Sequence, residues 1–148
     1  MNILFLCTGN YYRSRFAEEY FNSLARSRSL PHRAASRGIG LDFGRLKNPG
    51  PISIEVIVAL KALGILVQAP IRRPKPLAPE EVSGFDRIIC MDETEHRPLV
   101  KKHKALKGKN VEYWNIKDLG EAPASAALPE CRTRVEGLIE ELDGAAKV

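Results

Sequence analysis

The chain has 148 residues, 44% of them hydrophobic and 28% charged, and this length and apolar content predict one domain, residues 1–148, with a core of its own. No apolar run approaches the 18 residues of a membrane span, and the short run after Met1-Asn2 lacks the basic and long apolar segments of a secretory signal. The formal net charge of +5 favours anionic ligands, but no basic stripe interleaved with aromatics and no finger spacing points to nucleic acid.

The first element is a short apolar strand, Ile3-Leu4-Phe5-Leu6, which delivers Cys7 into the loop Thr8-Gly9-Asn10-Tyr11-Tyr12. Arg13 and Ser14 then open an amphipathic helix running to about Ser29, with Phe16, Ala17, Tyr20, Phe21 and Leu24 at helical spacing. A strand feeding a tight loop and a helix N-terminus turns backbone N–H groups onto an anion. A thiol placed there feels the positive end of the helix and a nearby guanidinium, both of which favour its thiolate form. Arg13 offers a planar fork for two oxygens of a phosphate-like group. Gly9 allows close backbone approach and Asn10 tolerates left-handed geometry. The plain alternative is a buried cysteine closing a core strand, with Arg13 on a helix surface.

Further along, His32–Ser36 reads as a second strand ended by Arg37-Gly38. Pro51 starts a helix whose inward stripe is Ile52, Val56, Ala59, Leu60 and Leu63, and Gly64 stops it, although Ile52-Ser53-Ile54-Glu55-Val56 also alternates like a strand. The four prolines from Pro70 to Pro79 exclude regular structure there, and Arg72, Arg73 and Lys75 are expected to be solvated or to line a substrate groove. Phe85–Met91 is a buried strand ending at Asp92, with Cys90 in the core. A helix over Glu95–Leu106 is expected to turn its lysines, His96 and His103 to water. Val111–Trp114 forms the last strand, and a helix from Pro129 places Cys131, Val135, Leu138, Ile139 and Leu142 on one face. Strands alternating with helices predict right-handed crossovers and a parallel sheet, with ligand beyond the carboxyl ends of the strands. Three cysteines argue against a disulfide framework and for a reducing compartment, so the cytoplasm is the expected location.

Cys7-Thr8-Gly9-Asn10 followed by Arg13-Ser14-Arg15-Phe16-Ala17-Glu18 resembles the signature of the low-molecular-weight protein tyrosine phosphatases and their arsenate reductase relatives. The resemblance implies an α/β fold with a four-stranded parallel sheet and helices on both faces. It also implies a Ser-x-Gly element supporting the loop, matched by Ser36 and Gly38 with Arg37 in place of a small residue. Met91-Asp92 matches the end of the family's third strand. Asp118, after the last strand, matches the family's general acid, although Leu119 replaces the usual following proline. Asp92 is the second candidate acid, and an ordinary loop aspartate is the plain reading of Asp118. The expected cycle uses Cys7 as nucleophile, Arg13 and the N–H groups of Thr8, Gly9, Asn10, Tyr11, Tyr12 and Ser14 around the phosphoryl oxygens, and Asp118 as acid and then base.

No metal or organic cofactor is required by this cycle. The expected partner is a phosphorylated protein or a small phosphomonoester, with neither nucleic acid nor membrane, and no pattern speaks to oligomeric state. Tyr12 stands where many family members carry a second cysteine, and the tyrosine-rich segment after the acid is replaced by Gly120–Ser125. Tyr11, Tyr12 or Phe43 are the candidate aromatic walls. The competing functions are arsenate reduction, which needs Cys90 or Cys131 as a relay, and non-catalytic phosphate binding.

Overall fold

The computed structural model describes residues 1–146. Strands β1 (Asn2–Cys7), β2 (Arg33–Gly38), β3 (Arg87–Cys90) and β4 (Val111–Tyr113) form one parallel sheet in the order β2-β1-β3-β4. Helices are α1 (Arg13–Ser27), α2 (Ile54–Ala62), α3 (Glu93–Lys102) and α4 (Ala124–Ala146). Among the described residues no helix is long and apolar enough to cross a membrane.

The period-2 alternation of β1 divides the core. Ile3, Phe5 and Cys7 face one side with Phe16, Phe21, Val56, Leu60, Cys131 and Ile139, while Leu4 and Leu6 face the other with Ile39, Val82, Ile88, Cys90 and Leu106. Every β1 side chain from Ile3 to Leu6 is fully buried, as a central strand covered on both faces requires. The order reverses at β1, because α1 leads to β2 on one side and β3 lies on the other. A crevice therefore opens at the carboxyl end of β1, where Cys7 leaves the sheet.

Several boundaries differ from expectation. β2 continues through Arg37 and Gly38, and Arg37 is accommodated because its guanidinium pairs with Glu81 at 2.9 Å. α2 begins after Ser53, not at Pro51: the Ser53 Oγ accepts from Glu55 N at 3.2 Å and caps the helix. Gly64, at φ 79°, takes the left-handed position that ends it. α3 begins two residues early because Asp92 caps it, its Oδ2 accepting from Glu95 N at 3.0 Å, and a short 3-10 turn at Lys104–Leu106 replaces its last part. α4 begins at Ala124, ahead of Pro129, because the Pro123 carbonyl accepts from Ala126 N and Ala127 N at 3.0 Å and the Ala-rich turn that follows favours helix.

Candidate active site

The loop from Cys7 to Tyr12 is held by its carbonyls. Ile39 N donates to Cys7 O at 2.9 Å, Gly40 N to Thr8 O at 3.0 Å, Ser53 N to Tyr11 O at 3.1 Å and Phe16 N to Tyr12 O at 3.1 Å. The buried Arg15 guanidinium spans Asn10 O, Pro51 O and Arg72 O, and burial, followed by the nearby Arg72 charge, pushes its pKa down to about 10. In a trans peptide the N–H points opposite to the C=O it adjoins. Carbonyls drawn outward thus turn the N–H groups of Thr8, Gly9, Tyr11, Tyr12 and Arg13 inward. Among the described residues, those of Thr8, Gly9, Tyr11 and Tyr12 have no protein acceptor. α1 has no side-chain cap at Tyr12, so its first N–H groups remain available as well.

Cys7, 3% exposed, lies at the centre of this ring. Its Sγ accepts from Asn10 N at 3.2 Å and lies 3.0 Å from Ser14 Oγ. Asn10 Nδ2 donates to Ser14 Oγ at 3.0 Å, which leaves the Ser14 hydroxyl hydrogen for the sulfur. Asn10 takes the left-handed backbone, φ 52°, while a Cβ on Gly9 would meet nothing closer than Leu46 Cδ1 at 3.4 Å. The conformational demand therefore falls on Asn10. At Gly38 a Cβ would lie 2.3 Å from the Phe43 ring and 2.9 Å from Thr8 O, so the close approach of β2 to the loop requires glycine there.

Asn10 is also the hub of the support beneath the loop. Its Nδ2 reaches Ser36 Oγ at 2.9 Å, and its Oδ1 accepts from Arg72 Nη1 and Lys75 N, each at 3.0 Å. Ser36 Oγ donates to Glu18 Oε1 at 2.7 Å, and Arg72 Nη2 pairs with the same oxygen at 3.2 Å. Arg72 is thus neither solvated nor in a substrate groove, as its place in a proline-rich segment suggested; it is folded under the loop. Arg73 and Lys75 are exposed.

Arg13, 2% exposed, donates Nη1 and Nη2 to Glu95 Oε1 and Oε2 at 3.0 and 2.7 Å, and Nη1 to Ile116 O at 3.0 Å. Burial opposes its charge, but the Glu95 bond and the neighbouring Cys7 outweigh that and raise its pKa. Burial likewise opposes the Glu95 charge, and the bonds from His96 and Arg13 hold the carboxyl well below its ordinary range. His96 is fully buried, contrary to the wet face expected of it: Nδ1 accepts from Asp92 N at 3.0 Å and Nε2 lies 3.1 Å from Thr8 Oγ1. Asp92 caps α3 and pairs with Lys117 Nζ at 2.9 Å, which occupies both of its oxygens.

Asp118 stands across the crevice, half-exposed, its Oδ2 3.6 Å from Arg13 Nη2 and its Oδ1 accepting from Leu119 N at 2.9 Å. With Cys7 and Arg13 it lines a cavity of about 310 Å³ walled by Tyr11, Tyr12, Leu46 and Leu119. Tyr12 is buried, its hydroxyl has no hydrogen-bond partner among the described residues, and burial, then the charge of Asp118, push its pKa up to about 12. Phe43 does not belong to this wall; it packs against Gly38 and lines a neighbouring depression. Leu119 follows Asp118 directly in sequence, whereas Leu46 carries no sequence signal that would have placed it here. Cys90 and Cys131 are fully buried, and burial pushes both thiols up. Among the described residues no cluster of three His, Cys, Asp or Glu side chains could hold a metal ion.

The carboxyl end of a parallel α/β sheet thus carries a cysteine ringed by inward N–H groups, with an arginine and a carboxylate on the same crevice. The family described as low molecular weight phosphotyrosine protein phosphatase matches residues 2–142, and the chain belongs to that family. The pig protein named "Low molecular weight phosphotyrosine protein phosphatase" is 29% identical over 109 residues, covering 72% of this chain and 64% of its own length. The chain thus spans less than two thirds of that relative. The low molecular weight protein tyrosine phosphatase of T. tengcongensis is similar in structure, with a TM-score of 0.72 and 26% identity over 98% of this chain and 99% of that one. A Vibrio cholerae phosphotyrosine phosphatase shares the fold, with a TM-score of 0.77, 17% identity and 97% of each chain covered.

Proposed function

We propose that the chain is a cysteine-dependent phosphomonoester hydrolase, a protein tyrosine phosphatase acting through a phosphocysteine intermediate. One observation carries this reading: Cys7 Sγ, the inward loop N–H groups, Arg13 and Asp118 share one crevice at the carboxyl end of β1. In the first step the Cys7 thiolate attacks phosphorus in line, the S–P bond forms, and the bond from phosphorus to the ester oxygen breaks. The Asp118 carboxyl gives its proton to that oxygen, so the product leaves as a neutral alcohol or phenol. Loop N–H groups and Arg13 hold the three equatorial oxygens as charge builds on them. In the second step Asp118 takes a proton from water, the water oxygen attacks phosphorus, and the S–P bond breaks. Inorganic phosphate departs, and Ser14 Oγ–H together with Asn10 N–H receives the returning thiolate.

The walls Tyr11, Tyr12, Leu46 and Leu119 support an aryl ester, and the family to which the chain belongs supports phosphotyrosine. Arsenate reduction ranks second. Its relay would need Cys90, on the opposite face of the sheet from Cys7, or Cys131, fully buried in α4. Three free thiols support a reducing compartment, the cytoplasm. The test is hydrolysis of a chromogenic aryl phosphate without added metal by wild type and Asp118→Asn, over leaving groups of graded basicity. Loss that grows as the leaving group becomes more basic supports Asp118 as the acid. Equal loss across the series removes it from that role, and arsenate turnover with a thiol reductant but feeble phosphatase activity reverses the order of the two functions.

A further inference from the structure

The guanidinium of Arg13 has two usable edges, and one is already taken. Nη1 and Nη2 both point at the Glu95 carboxylate, and the second Nη1 hydrogen goes to Ile116 O. What remains is Nε, with no hydrogen-bond partner among the described residues, and the second hydrogen of Nη2, which lies 3.6 Å from Asp118 Oδ2. Arg13 lines the cavity, whereas Glu95 does not. Glu95 therefore stands behind the arginine, and any effect it has on a bound group passes through Arg13.

Glu95 is itself tightly fixed. Its N–H is held by Asp92 Oδ2 at 3.0 Å in the first turn of α3, and Thr8 Oγ1 donates to its Oε2. His96 Nδ1 accepts from Asp92 N, which in the neutral ring leaves the proton on Nε2, 3.1 Å from both Glu95 Oε2 and Thr8 Oγ1. The same Thr8 supplies an inward N–H of the loop. One carboxylate thus fixes the arginine with respect to the loop and to α3 at the same time.

We propose that Glu95 is the positioning residue for Arg13, occupying the terminal fork so that the Nε edge is presented to the equatorial oxygens of a tetrahedral oxyanion. The inference rests on the phosphoryl reading of the Cys7 loop and deepens it. Bidentate holding fixes the plane of the guanidinium as well as its place, which a single bond does not. It also holds Arg13 back from Asp118: an arginine released from Glu95 has a second carboxylate 3.6 Å away and would close on it, turning from the phosphoryl site and tying up the acid.

The test is calorimetric binding of inorganic phosphate and of vanadate, with thermal midpoints, for wild type, Glu95→Gln, Glu95→Asp, Arg13→Lys and the double variant Arg13→Lys/Glu95→Gln. Glu95→Gln is expected to weaken both anions about tenfold or more, the loss of a charge-assisted bond, even at a temperature where the variant is fully folded. Glu95→Asp, one methylene shorter but still charged, is expected to fall between. With the fork already removed in Arg13→Lys, adding Glu95→Gln is expected to cost about threefold or less, since coupled residues are not additive. A merely structural Glu95 would lower the midpoint while leaving anion affinity at the wild-type value. That result, or a full tenfold loss repeated in the Arg13→Lys background, overturns the inference. If Glu95→Gln does not fold, wild-type affinity in Glu95→Asp overturns it equally. A wild-type protein that binds neither anion removes the phosphoryl reading, and the inference with it, whatever the variants do.

Discussion

Asn10→Ala is the sharpest test of how the loop is built. The residue is fully buried, and all four of its side-chain hydrogen bonds are made within the protein, to Ser14, Ser36, Arg72 and the Lys75 N–H at 2.9–3.0 Å. Its φ of 52° adds a backbone demand that alanine meets poorly. A net hydrogen bond contributes about 1 kcal/mol, and Ser36 and Arg72 keep other partners, so the bonds account for about 2–4 kcal/mol. Placing alanine in left-handed geometry adds about 1 kcal/mol. The sum, about 3–5 kcal/mol, is a large share of a domain's stability and corresponds to a fall in Tm of roughly 6–20 °C at this chain length. Asn10→Gly separates the two contributions, because glycine keeps the backbone freedom and loses only the bonds. Urea and thermal midpoints with phosphate affinity measure the effect. A loss below about 1 kcal/mol in Asn10→Ala, with phosphate affinity unchanged, would show that the loop does not depend on this hub.

The acid limb of stability should carry the signature of Glu95. Its carboxyl is depressed in the folded state, so its contribution is complete above the unfolded value of about 4.3 and is lost as pH falls below it; Glu95→Gln should flatten that part of the pH–stability curve, and an unchanged limb counts against the Arg13–Glu95 pairing. Gly38→Ala should destabilise and also lower phosphate affinity, since its Cβ would meet Thr8 O at 2.9 Å; loss of stability without loss of affinity would free the loop from β2. Graded peroxide should oxidise Cys7 to sulfenic and then sulfinic acid, with late-stage activity not restored by dithiothreitol, because Tyr12 stands beside it and Cys90 and Cys131 are buried. Peptide mapping that finds a Cys7–Cys90 or Cys7–Cys131 disulfide with full recovery would contradict this and favour the reductase reading.

The local half of the site was legible in the sequence because strand, cysteine, loop and arginine lie within one turn of chain, where spacing and helix-end chemistry apply directly. Asp118 was legible because it follows the last strand of a parallel sheet and so emerges at the same end as Cys7. The supporting half was not. Glu95 and His96 look like part of a wet lysine-bearing helix until α3 is docked, with its N-terminus against Thr8 and Arg13. The signal that existed was Asp92-x-x-Glu95, a helix-start pattern that moves α3 two residues earlier. Arg72 sits among prolines that announce irregular chain and nothing more, and its partners Asn10, Glu18 and Ser36 come from three other segments. Pro129 suggested a helix start, yet five helical residues, Ala124–Leu128, precede it, because a proline near a helix N-terminus removes a single bond when Pro123 and the alanines secure the end.

The central claim is that Cys7 becomes covalently phosphorylated. Rapid acid quench of Asp118→Asn during turnover of an activated aryl phosphate, followed by peptide mass spectrometry, addresses it directly, because on the proposed cycle this variant would still form the S–P bond but activate water poorly. The account predicts a phosphoryl group on the peptide carrying Cys7, a burst of phenol equal to the enzyme present, and neither in Asp118→Asn combined with Cys7→Ala. Phenol release by Cys7→Ala at the wild-type rate, or label on a residue other than Cys7, would contradict it.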